Sequence, residues 1–316
     1  MKDKATGRGV AASLSYFLFA SPRPGAAEAS LFRDPFAPPA VQTDAEGKFR
    51  MLVAQEERGL FGASALGENA GHYRTGVGAD KVEGGTKDTT GAVTFAIPVG
   101  PLGAVLSADQ FDALVGVKPE RGATRVRCEL ELDPGRTVTV QVRGPDGKPL
   151  AGAQAFGQSA RVSPFAGWSQ RPLPAEFPVY GLAPGKGREV LVIHPEKHLA
   201  ARCEIKGDED GPVALALEPA AAVVGRLVDD EGRPRKDVAV DVRFLLGGDQ
   251  ILHLGRSKTD AEGKFRIDGI VPGLSYTGYF RPRPDQPYVQ SIFRDLGLKS
   301  GESKDVGDVK AKKGDE

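Results

Sequence analysis

The chain has 316 residues, enough for two or three domains of ordinary size. Lysine plus arginine and aspartate plus glutamate number 42 each, so no net charge recruits nucleic acid or an anionic membrane. Glycine (41) and proline (24) are spread along the chain, which predicts many short strands separated by turns. No apolar stretch approaches the ~20 residues that a membrane-spanning helix needs, so we expect no membrane span.

The first apolar segment, residues 10–20 (VAASLSYFLFA), follows three basic residues and superficially fits a secretory signal peptide. However, Ser13 and Ser15 interrupt it, and Arg23 falls where a cleavage region is usually uncharged. An internal repeat offers the alternative that this segment is a β-strand. We favour the strand, so the chain has no convincing signal peptide.

The octapeptide TDAEGKFR occurs twice, at residues 43–50 and 259–266. Its Thr and Asp can bond to the backbone two residues on, and its Gly accepts a positive φ, so TDAEG predicts a turn. KFR then begins a strand of period two, with Phe49 or Phe265 on one side and charged residues on the other. The repetition predicts two sandwich strands of one design rather than an active centre.

Longer segments repeat as well. Residues 132–153 align without a gap with residues 217–238, at an offset of 85. Residues 177–185 (FPVYGLAPG) align with residues 265–273 (FRIDGIVPG), at an offset of 88. Residues 3–10 are similar to the turn at 229–238. Each repeat predicts a strand, a glycine-centred turn and further strands.

These alignments predict three tandem units: unit one at residues 1–133, unit two at 134–219 and unit three at 220–311, followed by a tail at 312–316. Unit one carries extra length around residues 77–105, predicted to be a long loop or an extra hairpin. It also lacks the strand expected before Asp3. We expect either that the chain is a fragment or that its start was placed too late.

The recurring pattern resembles the carboxypeptidase regulatory-like domain. Unit three carries the motif at Gly225, Asp230, Gly232, Pro234, Thr259, Asp260, Gly263, Phe265, Gly269, Pro272 and Gly273. The resemblance implies all-β, transthyretin-like (prealbumin-like) Greek-key sandwiches of the seven-strand type, within the carbohydrate-binding-like folds. It implies little chemistry, because such modules are mostly accessory or structural parts of exported and cell-surface proteins.

No motif supports catalysis or metal binding. The chain lacks the H-x-x-E of a zinc carboxypeptidase, and HPEKH at residues 194–198 has the wrong spacing for H-E-x-x-H. We interpret that pair of histidines as an adventitious surface pair. We predict no catalytic residue, no cofactor and no metal. An enzyme would need carboxylates within ~5 Å of one of four histidines, His72, His194, His198 and His253.

The two cysteines, Cys128 and Cys203, cannot form a disulfide framework. They are predicted to act as small apolar core residues and do not fix the redox compartment.

Aromatic residues are the remaining candidates for binding. Trp168 lies in a polar, proline-flanked segment, and Tyr276, Tyr279 and Tyr288 surround the segment RPRPDQPY. Exposed aromatic faces would stack on sugar rings or contact a partner. The alternatives are that Trp168 anchors its loop over the end of its own sandwich and that Tyr276 packs in the core.

The sequence therefore favours a non-enzymatic structural or interaction protein, whose modules act as spacers or docking surfaces in a larger exported protein, periplasmic or on the cell surface. Carbohydrate binding through the aromatic residues is the alternative. The expected partners are an unidentified protein or polysaccharide and adjacent domains of a longer chain.

Overall fold

A computed structural model describes residues 1–20, 30–33, 41–53, 55–56, 58–87, 92–97, 104–160, 169, 171–246, 250–281 and 290–310. These residues form twenty-four strands and no α-helix, so the predicted all-β class is confirmed. The helical pieces among them are single 3-10 turns at Gly67–Asn69, Ala79–Lys81, Ala108–Gln110 and Pro195–Lys197.

The strands are short, as the spread of glycine and proline predicts. In unit one they are β1 (Lys2–Asp3), β2 (Ala12–Ala20), β3 (Ser30–Arg33), β4 (Val41–Gln42), β5 (Gly59–Ala65), β6 (Thr86–Lys87), β7 (Val93–Ile97), β8 (Ala104–Ser107), β9 (Ala113–Val117) and β10 (Glu131–Leu132). In unit two they are β11 (Arg136–Arg143), β12 (Gln154–Phe156), β13 (Glu176–Leu182), β14 (Gly187–His194), β15 (Leu199–Lys206), β16 (Val213–Ala216) and β17 (Glu218–Pro219). In unit three they are β18 (Ala221–Val228), β19 (Ala239–Leu246), β20 (Gln250–Lys258), β21 (Lys264–Ile270), β22 (Ser275–Arg281), β23 (Gln290–Gly297) and β24 (Ser303–Lys310).

Unit two is a sandwich of two sheets. One sheet has the strand order β13-β11-β16, and the other has the order β12-β14-β15-β17. Strand β11 is parallel to β16 and antiparallel to β13. Val138, Val140 and Val142 of β11 share one core with Val190 and Val192 of β14. The period of two along each strand thus places its apolar side between the sheets.

Unit three repeats this arrangement with sheets of order β21-β18-β24 and β20-β19-β22-β23. Its first strand, β18, is again parallel to its last strand, β24, and antiparallel to β21. The fourth strand of the larger sheet differs, since unit two adds β17 at one edge and unit three adds β20 at the other. Hydrogen bonds and apolar contacts cross from unit to unit, so the exact unit boundaries stay a prediction.

Unit one has a sheet of order β3-β2-β5-β9, with β4 also paired to β2. The apolar segment at residues 10–20 is therefore largely the strand β2, as the repeat predicts. The extra length around residues 77–105 contains a small sheet of order β6-β7-β8, in which β7 and β8 pair antiparallel, which favours the extra hairpin over the long loop.

The opening turn recurs in all three units. The N–H of its first residue donates to a carbonyl four or five residues later, at 2.9 Å in each of the pairs Asp3–Arg8, Gly144–Lys148 and Asp229–Arg233. The alignment of residues 3–10 with the later turn therefore holds in three dimensions.

The two copies of the octapeptide occupy equivalent surroundings. Lys48 N–H donates to Asp44 Oδ1 at 2.7 Å, and Lys264 N–H donates to Asp260 Oδ1 at 2.7 Å. The glycines at positions 47 and 263 have φ values of 73° and 76°. In each copy the Thr hydroxyl binds to the backbone that follows the opening turn. Thr43 donates to the Val10 carbonyl and accepts from the Ala12 N–H. Thr259 donates to the Arg235 carbonyl and accepts from the Val238 N–H. The predicted turn is thus confirmed in both copies.

The strand expected after the first copy is absent. In unit three, KFR opens β21, which pairs with β18, whereas residues 48–53 of unit one belong to no strand. Phe49 and Met51 still alternate with exposed charged residues and pack partly against the core. The physical reason is that β1, the counterpart of β18, has only two residues. Residues 48–53 therefore have no neighbouring strand with which to form backbone hydrogen bonds.

Candidate functional site

Tyr276 lies in the core, which corrects its prediction as a surface contact. Strand β22 alternates so that Tyr276, Gly278 and Phe280 point inward, and Tyr276 has no exposed surface. Its hydroxyl donates to the carbonyl of Val271 at 2.6 Å. Burial raises the pKa of Tyr276, so the phenol stays a neutral donor. The structure therefore supports the alternative that Tyr276 packs in the core.

Tyr279, on the outward side of β22, is half-buried. The guanidinium of Arg243 lies 4.6 Å from the centre of its ring, and Arg243 Nε donates to Asp241 Oδ2 at 3.1 Å. A cation therefore already covers one face of this ring. Trp168 and Tyr288 lie outside the described residues, so their predicted contacts stay predictions.

His194 and His198 have different surroundings. His194 is buried and bonds through Nε2 to the carbonyl of Ala151 at 3.2 Å, whereas His198 is exposed with a positive φ. The interpretation of these two as a surface pair is therefore wrong for His194, because the alternation of β14 turns it inward with Val190 and Val192. In the part of the chain that the structure describes, no three His, Cys, Asp or Glu side chains are grouped as a metal ion requires.

Both cysteines are partly buried and pack against sandwich cores, as predicted. Burial, with a further effect of the Glu189 charge, raises the pKa of Cys203 to about 11. The reactive thiolate is then scarce at neutral pH.

We expect Cys203 to react with iodoacetamide at pH ~8 at least about 100-fold more slowly than glutathione, because so little of it is ionised. Mass spectrometry of tryptic peptides over a time course measures this rate. Unfolding in urea should restore the ordinary rate; equal rates for Cys203 and glutathione in the folded protein would contradict the expectation.

A polar cluster lies at the end of unit one, where the chain passes into unit two. Asp133 Oδ2 accepts from Arg74 Nη1 at 2.9 Å and from Lys4 Nζ at 3.2 Å, and Asp133 Oδ1 accepts from the Gly135 N–H at 3.0 Å. Burial acts to raise the pKa of Asp133, but these bonds outweigh it and lower that pKa below its ordinary value. The cluster fixes the path of the chain between the two units.

An aromatic stack continues this junction. The rings of His72 and Tyr180 are stacked, with centroids 3.8 Å apart. Beside them, Arg188 donates from its guanidinium to the carbonyls of Tyr180 at 2.5 Å and Gly181 at 2.8 Å. Burial lowers the pKa of Arg188 to about 10, which still leaves it charged.

Acidification should weaken this junction. Burial lowers the pKa of His72 from its ordinary value of ~6.5, so the folded state binds fewer protons than the unfolded state below that pH. The stabilisation is complete above pH ~6.5 and is lost as the pH falls towards the folded-state pKa. The melting temperature should be lower at pH ~5.5 than at pH ~7.5, and the difference should be smaller in His72→Gln. An unchanged difference in that variant would exclude His72 as its source.

The junction between units two and three is apolar. Phe156, Leu191 and Ala200 lie on the outer face of the larger sheet of unit two, yet each has no exposed surface, because they belong to the same buried cluster as the core of unit three. At the edge of this patch, Arg202 Nη1 lies 3.2 Å from Glu189 Oε1. The backbone is also tied, since Ala220 N–H donates to the His198 carbonyl at 2.8 Å.

Sequence reasoning missed both junctions. One signal was present: β14 reads VLVI without alternation, and a continuous apolar run is typical of a strand that is buried on both faces. The junction of units one and two gave no such signal, because its residues are polar or aromatic and form no continuous apolar run.

No protein-family model matches this chain, and no curated protein matches it. Among solved structures, a streptococcal ancillary pilin aligns over 70% of this chain and 75% of its own, at 13% identity and a TM-score of 0.25. A shaft pilin from Lactobacillus rhamnosus GG aligns over 56% and 97%, at 12% identity and a TM-score of 0.23. The TIE protein of Bacillus anthracis aligns over 96% of this chain but 52% of its own length, at 10% identity and a TM-score of 0.24.

The chain likewise covers 56% of a hydroxyquinol 1,2-dioxygenase from Pseudomonas putida DLL-E4, at 15% identity and a TM-score of 0.22. Similarity at this level does not bear on function. The described part of the chain has no helix with the length and apolar character that a membrane crossing requires.

Proposed function

We propose that this chain is a rigid, tension-bearing spacer in an exported or cell-surface protein. The observation that carries the proposal is the pairing of the first and last strands in units two and three. Strand β11 is parallel to β16, and β18 is parallel to β24. The resemblance to carboxypeptidase regulatory-like domains, which are mostly parts of exported proteins, supports the location.

Parallel pairing determines how a unit is loaded. The start of β18 and the end of β24 lie at opposite ends of their ladder, which runs from Ala222↔Ser303 to Val228↔Lys310. Tension along the chain therefore pulls the two strands past each other and loads their hydrogen bonds together. An antiparallel hairpin pulled from its open end loses its bonds one at a time. The geometry thus resists extension, which a spacer needs.

The junctions add rigidity. The His72–Tyr180 stack ties unit one to unit two, and the Phe156 patch buries unit three against unit two. A chain whose units share buried surface holds its length and orientation better than beads on flexible linkers.

Single-molecule force spectroscopy tests this function. Pulled from its ends, the chain should give discrete unfolding events, and a segment such as β18 to β24 should release roughly 300 Å of extended chain. Forced unfolding reports the unfolding barrier, so the force is the informative quantity.

The matched control is the same protein pulled between attachment points in Ser275 and Gly297, which face each other in the antiparallel pair β22–β23. This geometry separates the strands pair by pair, so it should yield at clearly lower force. Equal forces in the two geometries, or extension from the ends without discrete events, would refute the spacer function.

A further inference from the structure

The outer face of one sheet is covered by another part of the chain in both unit one and unit two. In unit two the cross-strand pair Phe156↔Leu191 lies on this face, and unit three covers it. In unit one the pair Phe17↔Leu60, of strands β2 and β5, packs with Phe95 of the small sheet β6-β7-β8. The same face therefore serves twice as a docking surface.

The repeat carries this pair onto polar residues in unit three. The offsets of 85 and 88 residues carry Phe156 onto Asp241 and Leu191 onto Tyr279. Asp241 and Tyr279 also lie directly opposite each other, on β19 and β22. Val240, beside Asp241, belongs to the core, so Asp241 lies on the outer side. An apolar neighbour of the kind that covers Phe156 does not suit this face, because it would desolvate polar groups.

Four cations lie on the same outer side of this sheet. The antiparallel register places three of them opposite Asp241 or Ala239, and the fourth follows Asp241 by two residues. We call these cations together with the tyrosine the basic face: Arg243, Arg256, Lys258, Arg281 and Tyr279. Among the residues that the described ladders place there, Asp241 is the one carboxylate.

The charge of the basic face is positive and accessible. Asp241 is buried, with 1% of its side chain exposed, and its Oδ2 accepts from Arg243 Nε at 3.1 Å. Arg256 and Lys258 are exposed, and Arg281 is partly exposed. Four cations against one buried carboxylate leave an excess of positive charge at the surface, which attracts an anionic partner.

The composition of the basic face favours a protein partner. Arginine and tyrosine are the residues that often supply binding energy in protein interfaces. The Arg243 guanidinium lies 4.6 Å from the centre of the Tyr279 ring, so the two side chains support each other. In unit two the equivalent face binds a folded unit, whose Gly273 turn reaches Arg202: a Cβ on that glycine would lie 3.7 Å from Arg202 Nε.

We propose that the basic face binds an acidic segment of a protein partner, in which aspartate or glutamate side chains lie close together on one turn or strand. Carboxylates form charge-assisted, often bidentate hydrogen bonds with arginine, which match the partner to this face. The proposal goes beyond the spacer function and does not depend on it, because the contact joins unit three to a separate protein and carries no tension.

A fluorescently labelled peptide of ten glutamates tests the basic face. Its fluorescence anisotropy should rise with the protein at ~20 mM salt and much less at ~200 mM salt, because screening weakens the contact. The double substitution Arg256→Gln, Lys258→Gln, at exposed positions, should lower the affinity at least ~10-fold. Hydrogen exchange in the parent protein should slow in β19, β20 and β22 when the peptide binds.

Lys264→Gln, Lys304→Gln is the matched control, because both lysines are exposed on the other sheet of unit three and the change in net charge is the same. This variant should keep its affinity within ~2-fold. An equal loss in the control would overturn the proposal, as would no binding up to ~1 mM protein at low salt. Slowed exchange confined to other strands would also overturn it. Tighter binding of inorganic polyphosphate of equal charge would assign the face to a polyanion other than a protein.

Discussion

Replacing Phe156 with alanine should lower the free energy of unfolding by about 3–5 kcal/mol and separate the unfolding of units two and three. Phe156 ends β12 in unit two, but its buried ring belongs to the core cluster of unit three. Its removal leaves a cavity in the surface that the two units share. Differential scanning calorimetry should show one joint transition in the parent protein and two transitions in the variant.

Phe177→Ala is the matched control. Phe177 is equally buried, but it belongs to the core of unit two alone. Its loss should cost a similar free energy while units two and three keep their mutual contact. If Phe156→Ala instead behaves like a surface substitution, with a change within ~0.5 kcal/mol, then the patch does not couple the units.

The parts of the fold that could be predicted are those that each unit encodes locally. Turn residues determine backbone conformation within four or five positions, so two copies of TDAEG form the same bonds wherever they occur. The strand β2 was also predictable, because its match to the repeat outweighed its superficial likeness to a signal peptide.

Burial was harder to predict than strand position. The period of two shows that Tyr276 and Tyr279 lie on opposite sides of β22, but it does not show which side another sheet covers. The same limit applies to His194, whose polar ring is turned into a core by the alternation of β14.

The junctions could not be predicted from the repeat, because a repeat describes one unit and says nothing about how neighbours are oriented. The stacked rings of His72 and Tyr180 belong to different units and lie far apart along the chain. Contacts at such separations depend on the arrangement of whole units.

Gly181→Ala should separate unit one from unit two. Gly181 has a φ of 64°, and a Cβ there would lie 2.5 Å from the carbonyl oxygen of Tyr73 in unit one. The neighbouring backbone has little room to move, since Arg74 N–H donates to the Asp133 carbonyl at 2.9 Å and His72 is stacked on Tyr180. We expect a loss of about 1–3 kcal/mol from overpacking, in addition to the cost of the left-handed backbone.

Gly269→Ala separates these two costs, because Gly269 holds the same repeat position in unit three with a φ of 76° and nothing within 4 Å of its Cβ position. The free energy of unfolding of Gly269→Ala should fall only by the ~1–2 kcal/mol that a non-glycine residue costs in the left-handed conformation. Urea unfolding of both variants measures the difference, and hydrogen exchange at residues 72–74 should quicken in Gly181→Ala alone. Equal losses would mean that unit one does not press on Gly181, and that the contact between units one and two is too loose to transmit tension.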